Sequence, residues 1–274
     1  RRGVWQYAPT LYRRVIVASK RKVLVTGLSG VVGQAMRPAL EEHYEISSLS
    51  RNGVDGLPDE RNFIGNVADV ESLRPAFEGI DTIVNLAASG GRSDPDGMDG
   101  DWETMLKYNI VGCYNVLEVA RQTGVKRVIL ASSGAAANGY EWEEPYKTLV
   151  SSEDIPMPES WEMVSEVSEP KPIHLYGVTK LFGEDLGRLY AITTDLSVIN
   201  LRISATGPID APQPGRGMAN WQSHRDLQQL TLKIIEAPAD LKFDVFWATS
   251  DNKRLFRDNA HAKEVLGYAP HDGA

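Results

Sequence analysis

The chain has 274 residues, enough for one large α/β domain or two smaller ones, and its 42% hydrophobic and 24% charged residues are those of an ordinary globular protein. A formal net charge of −8 argues against nucleic acid or an anionic membrane as the main partner and leaves small molecules, including anionic ones, open. The single cysteine, Cys113, has no internal disulfide partner, which points to a reducing compartment such as the cytoplasm, and no apolar run approaches the ~20 residues that span a bilayer.

Residues 1–21 read as a basic lead-in. Arg1, Arg2, Arg13, Arg14, Lys20 and Arg21 lie there, and no acid precedes Glu41. An Arg-rich, acid-free stretch fits the remnant of an organellar transit segment, with the organelle matrix as the alternative location, and equally a solvated lead-in. Lys22 to Gly33 (KVLVTGLSGVVG) follows as an apolar strand running into Gly27, Gly30 and Gly33 and then a helix over Val31 to Glu41. A strand, a glycine-hinged turn and a helix present backbone N–H groups to a pyrophosphate. Gly27 provides the tight turn, Gly30 the close approach of a phosphate, and Gly33 the contact of helix with strand.

Tyr44 to Leu49 reads as a second strand, followed by Ser50-Arg51-Asn52-Gly53. At this position of a dinucleotide fold an acid favours a free ribose 2′-hydroxyl and an arginine a 2′-phosphate, so Ser50 and Arg51, with no acid before Asp55, lean toward NADP over NAD. Asn62 to Ile64 is a short third strand with Asn66 beyond it, and Asp69 is a helix N-cap ahead of Val70, Leu73 and Phe77. Asp81 to Ala88 is a fourth strand ending in small residues that suit close passage of a cofactor. Ser89 to Gly100 is a loop, Trp102 to Gly124 a long helix, and Val125 to Ala131 a fifth strand before Ser132-Ser133-Gly134.

The alternation of strand and helix without hairpin signals predicts a doubly wound parallel sheet, a Rossmann-type α/β fold over residues 22–204. Residues 135–172, rich in proline and acids, interrupt it as a long excursion over the site mouth. A helix over His174 to Ala191 and a sixth strand over Leu196 to Ile203 complete the domain. Residues 205–274 read as a small C-terminal substrate-capping lobe that is not independent, with a helix from His224 to Ile235, a strand from Phe243 to Trp247 and a last helix from Asn259 to Leu266.

Tyr176 and Lys180 stand four apart on one helix, and of the ten tyrosines only Tyr176 has a lysine at that spacing. An ammonium beside a phenol favours the phenolate, which can then serve as a base. Ser133 lies where the fifth strand ends, at the sheet edge where ligands of such folds bind, and its hydroxyl can bond a substrate oxygen.

TGLSGVVG, NLAA, NIVGCYN, ASS, YGVTK and LRI, in that order over nearly the whole chain, resemble an extended short-chain dehydrogenase/reductase of the NAD-dependent epimerase/dehydratase family. YGVTKLFGEDLGRLY, GRGMANWQSHRDL and SDNKRLF…AKEVLGYAP resemble the uronate dehydrogenases and related archaeal sugar dehydrogenases. The resemblance implies Tyr176 as general base, Lys180 as its partner and a hold on the nicotinamide ribose, Ser133 as orienter of the substrate hydroxyl, and Asn109 as support for the lysine through water. It further implies Gly27, Gly30, Gly33, Ser50, Arg51, Asn66, Val67, Leu86, Ala87, Ala88 and Lys180 along the cofactor. Ser89, Ser133, Tyr176 and Arg216 then face the substrate, with Arg216 pairing a carboxylate.

Two departures mark the chain. Gly134-Ala135 stand where uronate dehydrogenases carry Asn-His against the sugar, and Asn66 replaces an adenine-contacting aspartate, though its amide oxygen can still accept. The NAD-using relatives also carry an acid near Ser50. No metal site is expected, because His43, His174, His224, His261 and His271 form no close pair. His224 and Asp226 read as orienting the helix they begin. The leading expectation is an NAD(P)-dependent oxidoreductase of a sugar or sugar acid that forms homodimers through the helices at Trp102–Gly124 and His174–Ala191. A sugar-nucleotide epimerase or dehydratase with retained cofactor is the first alternative, and a non-catalytic dinucleotide-binding sensor or scaffold the second.

Overall fold

The computed structural model describes residues 20–90 and 101–274. Of the basic lead-in only Lys20 and Arg21 fall within them, and of the Ser89–Gly100 loop only Ser89 and Gly90; the rest of both lies outside the described residues. Seven strands, β1 (Lys22–Thr26), β2 (Glu45–Ser50), β3 (Asn62–Ile64), β4 (Thr82–Asn85), β5 (Arg127–Ser133), β6 (Ser197–Ile203) and β7 (Phe243–Ala248), form one sheet. Its order is β3-β2-β1-β4-β5-β6-β7 and every pair is parallel. The order reverses between β1 and β4, and that switch point opens the crevice in which such sheets bind ligands.

The helices are α1 (Val31–His43), α2 (Val70–Phe77), α3 (Trp102–Met105), α4 (Gly112–Thr123), α5 (Tyr146–Leu149), α6 (Leu175–Thr193), α7 (Arg216–Asn220), α8 (His224–Glu236) and α9 (Ala260–Leu266). Successive strand residues face opposite sides, so the apolar runs feed two cores at once. Val23, Val25, Ile129, Ile199 and Leu201 pack with Met36 and Leu40 of α1 and Leu227, Leu230 and Ile234 of α8. Leu24, Ile83, Val128, Leu130 and Val198 pack with Leu73 and Phe77 of α2, Val116 and Ala120 of α4 and Tyr190 of α6. A third cluster, including Tyr146, Leu149, Val164, Trp247 and Phe256, lies between segment 134–172 and the C-terminal residues.

Most elements match the sequence reading within a residue or two, and the differences have local causes. The fourth strand stops at Asn85, not at Ala88. Its neighbour β1 ends where Gly27 turns away at φ +72°, so Leu86 N–H to Thr26 O (3.1 Å) is the last ladder bond. The long helix at 102–124 is interrupted by a π-helical stretch over Leu106–Val111, and Gly124 ends it in the left-handed region at φ 77°. Segment 135–172 is not a structureless excursion. It carries tight helical turns over Gly134–Trp142, helix α5 and a bridge from Val164 to Arg257, and the Trp161 indole donates to Leu255 O at 2.8 Å. The short helix α7, inside a proline- and glycine-rich stretch, has no apolar period that the sequence would reveal. Residues after Ser204 add β7 to the same sheet, and α8 packs against α1.

Candidate active site

The glycine turn opens a groove of ≈ 470 Å³ at the switch point, lined by Gly27, Gly30, Ser50, Arg51, Asn66, Val67, Leu86, Ala87, Ala88 and Ser89. This brings together every sequence-derived cofactor residue except Gly33 and Lys180. A Cβ on Gly27 would lie 3.1 Å from the backbone of Leu86 and Ala87, so turn and β4 end touch through bare backbone. Gly33 sits tightly against the turn: its Cβ would stand 2.5 Å from Leu28 O. Thr26 Oγ1 accepts from Ala87 N (3.1 Å) and donates to Asn85 Oδ1 (2.6 Å), fixing the small-residue floor of the groove.

At the β2 end the Ser50 hydroxyl is buried with no hydrogen-bond partner among the described residues, and the Arg51 guanidinium lies 5.5 Å from the Tyr108 ring centroid. Both are donors, and no carboxylate lines the groove among the described residues. Asn66 Oδ1 accepts from Ala68 N at 3.0 Å, so one of its lone pairs is committed to the local turn and one is left for a ligand. Gly-rich turn, open groove and donor-rich rim fit a dinucleotide.

A second cleft of ≈ 230 Å³ shares Leu86, Ala88 and Gly90 with the groove and is lined by Ser133, Tyr176 and Lys180. The three side chains named from sequence thus converge on one cavity continuous with the cofactor groove. Lys180 Nζ donates to Ala131 O (2.8 Å) and stands 5.3 Å from the centroid of the Tyr176 ring. Ser133 Oγ accepts from Ala135 N (3.1 Å), which leaves its proton available to a ligand oxygen. Asn109 sits in the π-helical stretch and is buried. Its amide donates to Ser89 O (2.9 Å) and Thr179 Oγ1 (3.0 Å) and accepts from Ser89 N (2.7 Å), while Thr179 donates to Tyr176 O (2.8 Å). Asn109 therefore couples the β4 loop to the turn of α6 that carries the tyrosine, with no direct bond to Lys180.

Beneath this cleft Glu184, one turn beyond Lys180, accepts from Ser132 Oγ (2.5 Å) and from Arg202 Nε and Nη2 (2.9 and 2.8 Å). The pair is 4% and 7% exposed. It clamps α6, β5 and β6, the elements that deliver the cleft residues. Sequence reading passed over both residues, since nothing in their spacing announces a contact across 18 positions.

Arg216 does not line the cleft among the described residues. Its Nε and Nη2 donate to the two oxygens of Glu141 (2.6 and 2.8 Å), and Nη2 also reaches Asn138 Oδ1 (3.0 Å). Arg257 fills the space where a side chain at position 134 would be. A Cβ on Gly134 would meet Arg257 Nη1 at 2.6 Å, and Nη2 donates to Gly134 O (3.3 Å), Asn138 Oδ1 (2.8 Å) and Glu141 Oε1 (3.0 Å). Burial pulls this guanidinium down to about 10, so it stays charged at neutral pH. Ser204 and Thr206, also missed from sequence, line the cleft, and their buried hydroxyls have no partner among the described residues. They follow the carboxyl end of β6 as Ser133 closes β5, and that edge rule was the available signal. His224 and Asp226 serve structure: His224 Nε2 bonds Gly207 O (2.8 Å), and Asp226 accepts from Ser250 Oγ and the amides of His271 and Asp272.

Known proteins resemble the chain over its length. An NAD-dependent glucose-6-phosphate dehydrogenase of Haloferax volcanii is 32% identical over 259 residues, covering 92% of this chain and 94% of that protein. An L-arabinose 1-dehydrogenase (NAD(P)(+)) of the same organism is 29% identical, with 92% and 97% covered. The uronate dehydrogenase of Agrobacterium tumefaciens, in a mutant complexed with NAD, superposes with a TM-score of 0.75 at 28% identity, over 93% of this chain and 86% of that one. The model of the NAD dependent epimerase/dehydratase family matches residues 23–221, and the chain with its glycine turn, its seven-stranded parallel sheet and its tyrosine–lysine cleft belongs to that family.

Proposed function

We propose that the chain is an NAD(P)-dependent oxidoreductase acting on a hydroxyl-bearing carbon of a sugar or sugar acid. The observation that carries the reading is that Ser133, Tyr176 and Lys180 line one cleft continuous with the groove above the glycine turn. The relatives reported above act, by their names, on a phosphorylated, a neutral and an acidic sugar, so sugar oxidation is common to them while the substrate differs.

In this reading Gly27, Gly30, Gly33, Asn66, Val67, Leu86, Ala87, Ala88 and Lys180 hold the dinucleotide, whose nicotinamide supplies the hydride acceptor when bound. Tyr176 takes the proton of the substrate hydroxyl, and Lys180 sets a positive charge beside the phenol where negative charge develops. Ser133 donates to the same substrate oxygen, and Ser89, expected to face the substrate, instead lines the dinucleotide groove, held by Asn109. Oxidation of a pyranose at its anomeric carbon yields the lactone. NADP is the preferred cofactor, supported by the Ser50 and Arg51 donors and the absence of an acid there among the described groove residues. Residues 205–274 supply the substrate-facing side of the mouth. A homodimer is supported by Val111, Tyr114, Val178, Phe182 and Leu189, large apolar side chains exposed on α4, α6 and the π-helical stretch. A reducing compartment such as the cytoplasm suits the buried thiol of Cys113.

The test is Tyr176→Phe assayed with a panel of aldoses and uronates and both cofactors. Turnover is expected to fall by about 10²- to 10⁴-fold with dinucleotide affinity nearly unchanged. Undiminished turnover removes the mechanism.

A further inference from the structure

A cluster of two guanidiniums and one carboxylate adjoins the cleft on two sides. On one, Arg257 Nη2 donates to the carbonyl of Gly134, the residue after Ser133. On the other, Asn220 donates to Glu141 Oε1 (3.3 Å), and the Asn220 carbonyl accepts from Ala205 N (2.8 Å), between the cleft residues Ser204 and Thr206. At its centre Glu141 is only 11% exposed and accepts both prongs of the Arg216 fork.

We infer that Glu141 is a built-in carboxylate that occupies the fork of Arg216, so that the site selects uncharged aldoses over the corresponding uronates. The inference rests on the reading that the Tyr176 cleft oxidises a sugar. A guanidinium fork offers one carboxylate two parallel N–H bonds, and here both are taken. A substrate carboxylate would have to sit against Glu141, like charge to like charge, or displace it. Displacement is costly, because Arg257, 1% exposed, would lose its only carboxylate among the described residues and keep its charge in the interior.

The cleft itself favours a neutral polyol. Among its described lining residues Lys180 alone is charged, and its ammonium is engaged by Ala131 O and the Tyr176 ring. Ser133, Ser204 and Thr206 line the cleft as neutral hydroxyl residues, the last two with buried hydroxyls that have no partner among the described residues.

The experiment compares kcat/KM for glucose, galactose and arabinose with that for glucuronate and galacturonate, in the wild type, Glu141→Gln and Glu141→Gln/Arg216→Gln. The wild type should prefer the aldoses. Glu141→Gln should move the uronate-to-aldose ratio up by about ten- to a hundredfold, the size of a charge-assisted contact, and the double variant should lose that gain. A wild type that prefers uronates overturns the inference even if Glu141→Gln does not fold, and so does a ratio unchanged in a folded Glu141→Gln. Binding of the same sugars to the enzyme–NADPH complex, read by calorimetry, separates this inference from the reading beneath it. Selective aldose binding without turnover leaves the selectivity standing and removes the oxidation, whereas no binding and no turnover of either class removes both.

Discussion

Replacing Glu184 by glutamine keeps the shape of the side chain and removes its charge. In the wild type this carboxylate accepts three bonds of 2.5 to 2.9 Å, two of them from Arg202, and both partners are nearly closed to water. The variant leaves a guanidinium that is 4% exposed without its counter-charge. Stranding a buried charge in this way costs about 3–5 kcal/mol, a large share of the 5–15 kcal/mol by which domains are stable. For a chain of this size that is a fall in Tm of roughly 6–20 °C. Urea unfolding and calorimetry of Glu184→Gln read the effect directly. The double variant Glu184→Gln/Arg202→Met, with no charge left to strand, should recover part of the loss. The clamp also holds Ser132 beside Ser133 and Glu184 one turn from Lys180, so kcat should drop more than cofactor affinity. A Glu184→Gln protein within about 0.5 kcal/mol of the wild type, the size of an ordinary surface substitution, would refute the reasoning.

Gly33→Ala drives a methyl into the backbone of Leu28, where a Cβ would stand 2.5 Å from the carbonyl oxygen, and neither backbone can swing aside. It should cost about 1–3 kcal/mol and weaken NADPH binding measured by fluorescence; unchanged values of both would show that the turn is not tight. Arg51→Ala should lower kcat/KM for NADP by about tenfold or more with little change for NAD, and equal losses with both would remove the 2′-phosphate assignment. Glu118 is held down to about 2, first by hydrogen bonds from Arg121, then by those from Gln122 and Tyr190 against an opposing desolvation. A depressed carboxylate stabilises the fold above its unfolded pKa, about 4.3, and that contribution is lost as pH falls toward the folded value. The Tm gap between wild type and Glu118→Gln should therefore narrow from pH 6 to pH 3; a constant gap would mean that the carboxylate's charge is not what matters.

Local pattern carried the reading furthest where neighbours in sequence are neighbours in space. Tyr176 and Lys180 share a helix face because four residues make about one turn, and the cleft contains both. Asp69 accepts from Glu71 N as an N-cap should. Arg216 shows where this stops. Its motif context pointed to a substrate carboxylate, but Glu141, 75 residues away, reaches the fork. The partner arrives through segment 135–172, whose irregular composition hides the turns that aim it.

From its residues alone the chain determined a parallel doubly wound sheet, the glycine turn at its switch point and the identity of the phenol, ammonium and alcohol beside it, because periodicity and turn chemistry are properties of short stretches. Tertiary structure alone decided which charges pair: Glu141 with Arg216 and Arg257, and Glu184 with Arg202. Such pairs join distant segments, and a buried charge is stable only with the partner that the completed fold brings to it.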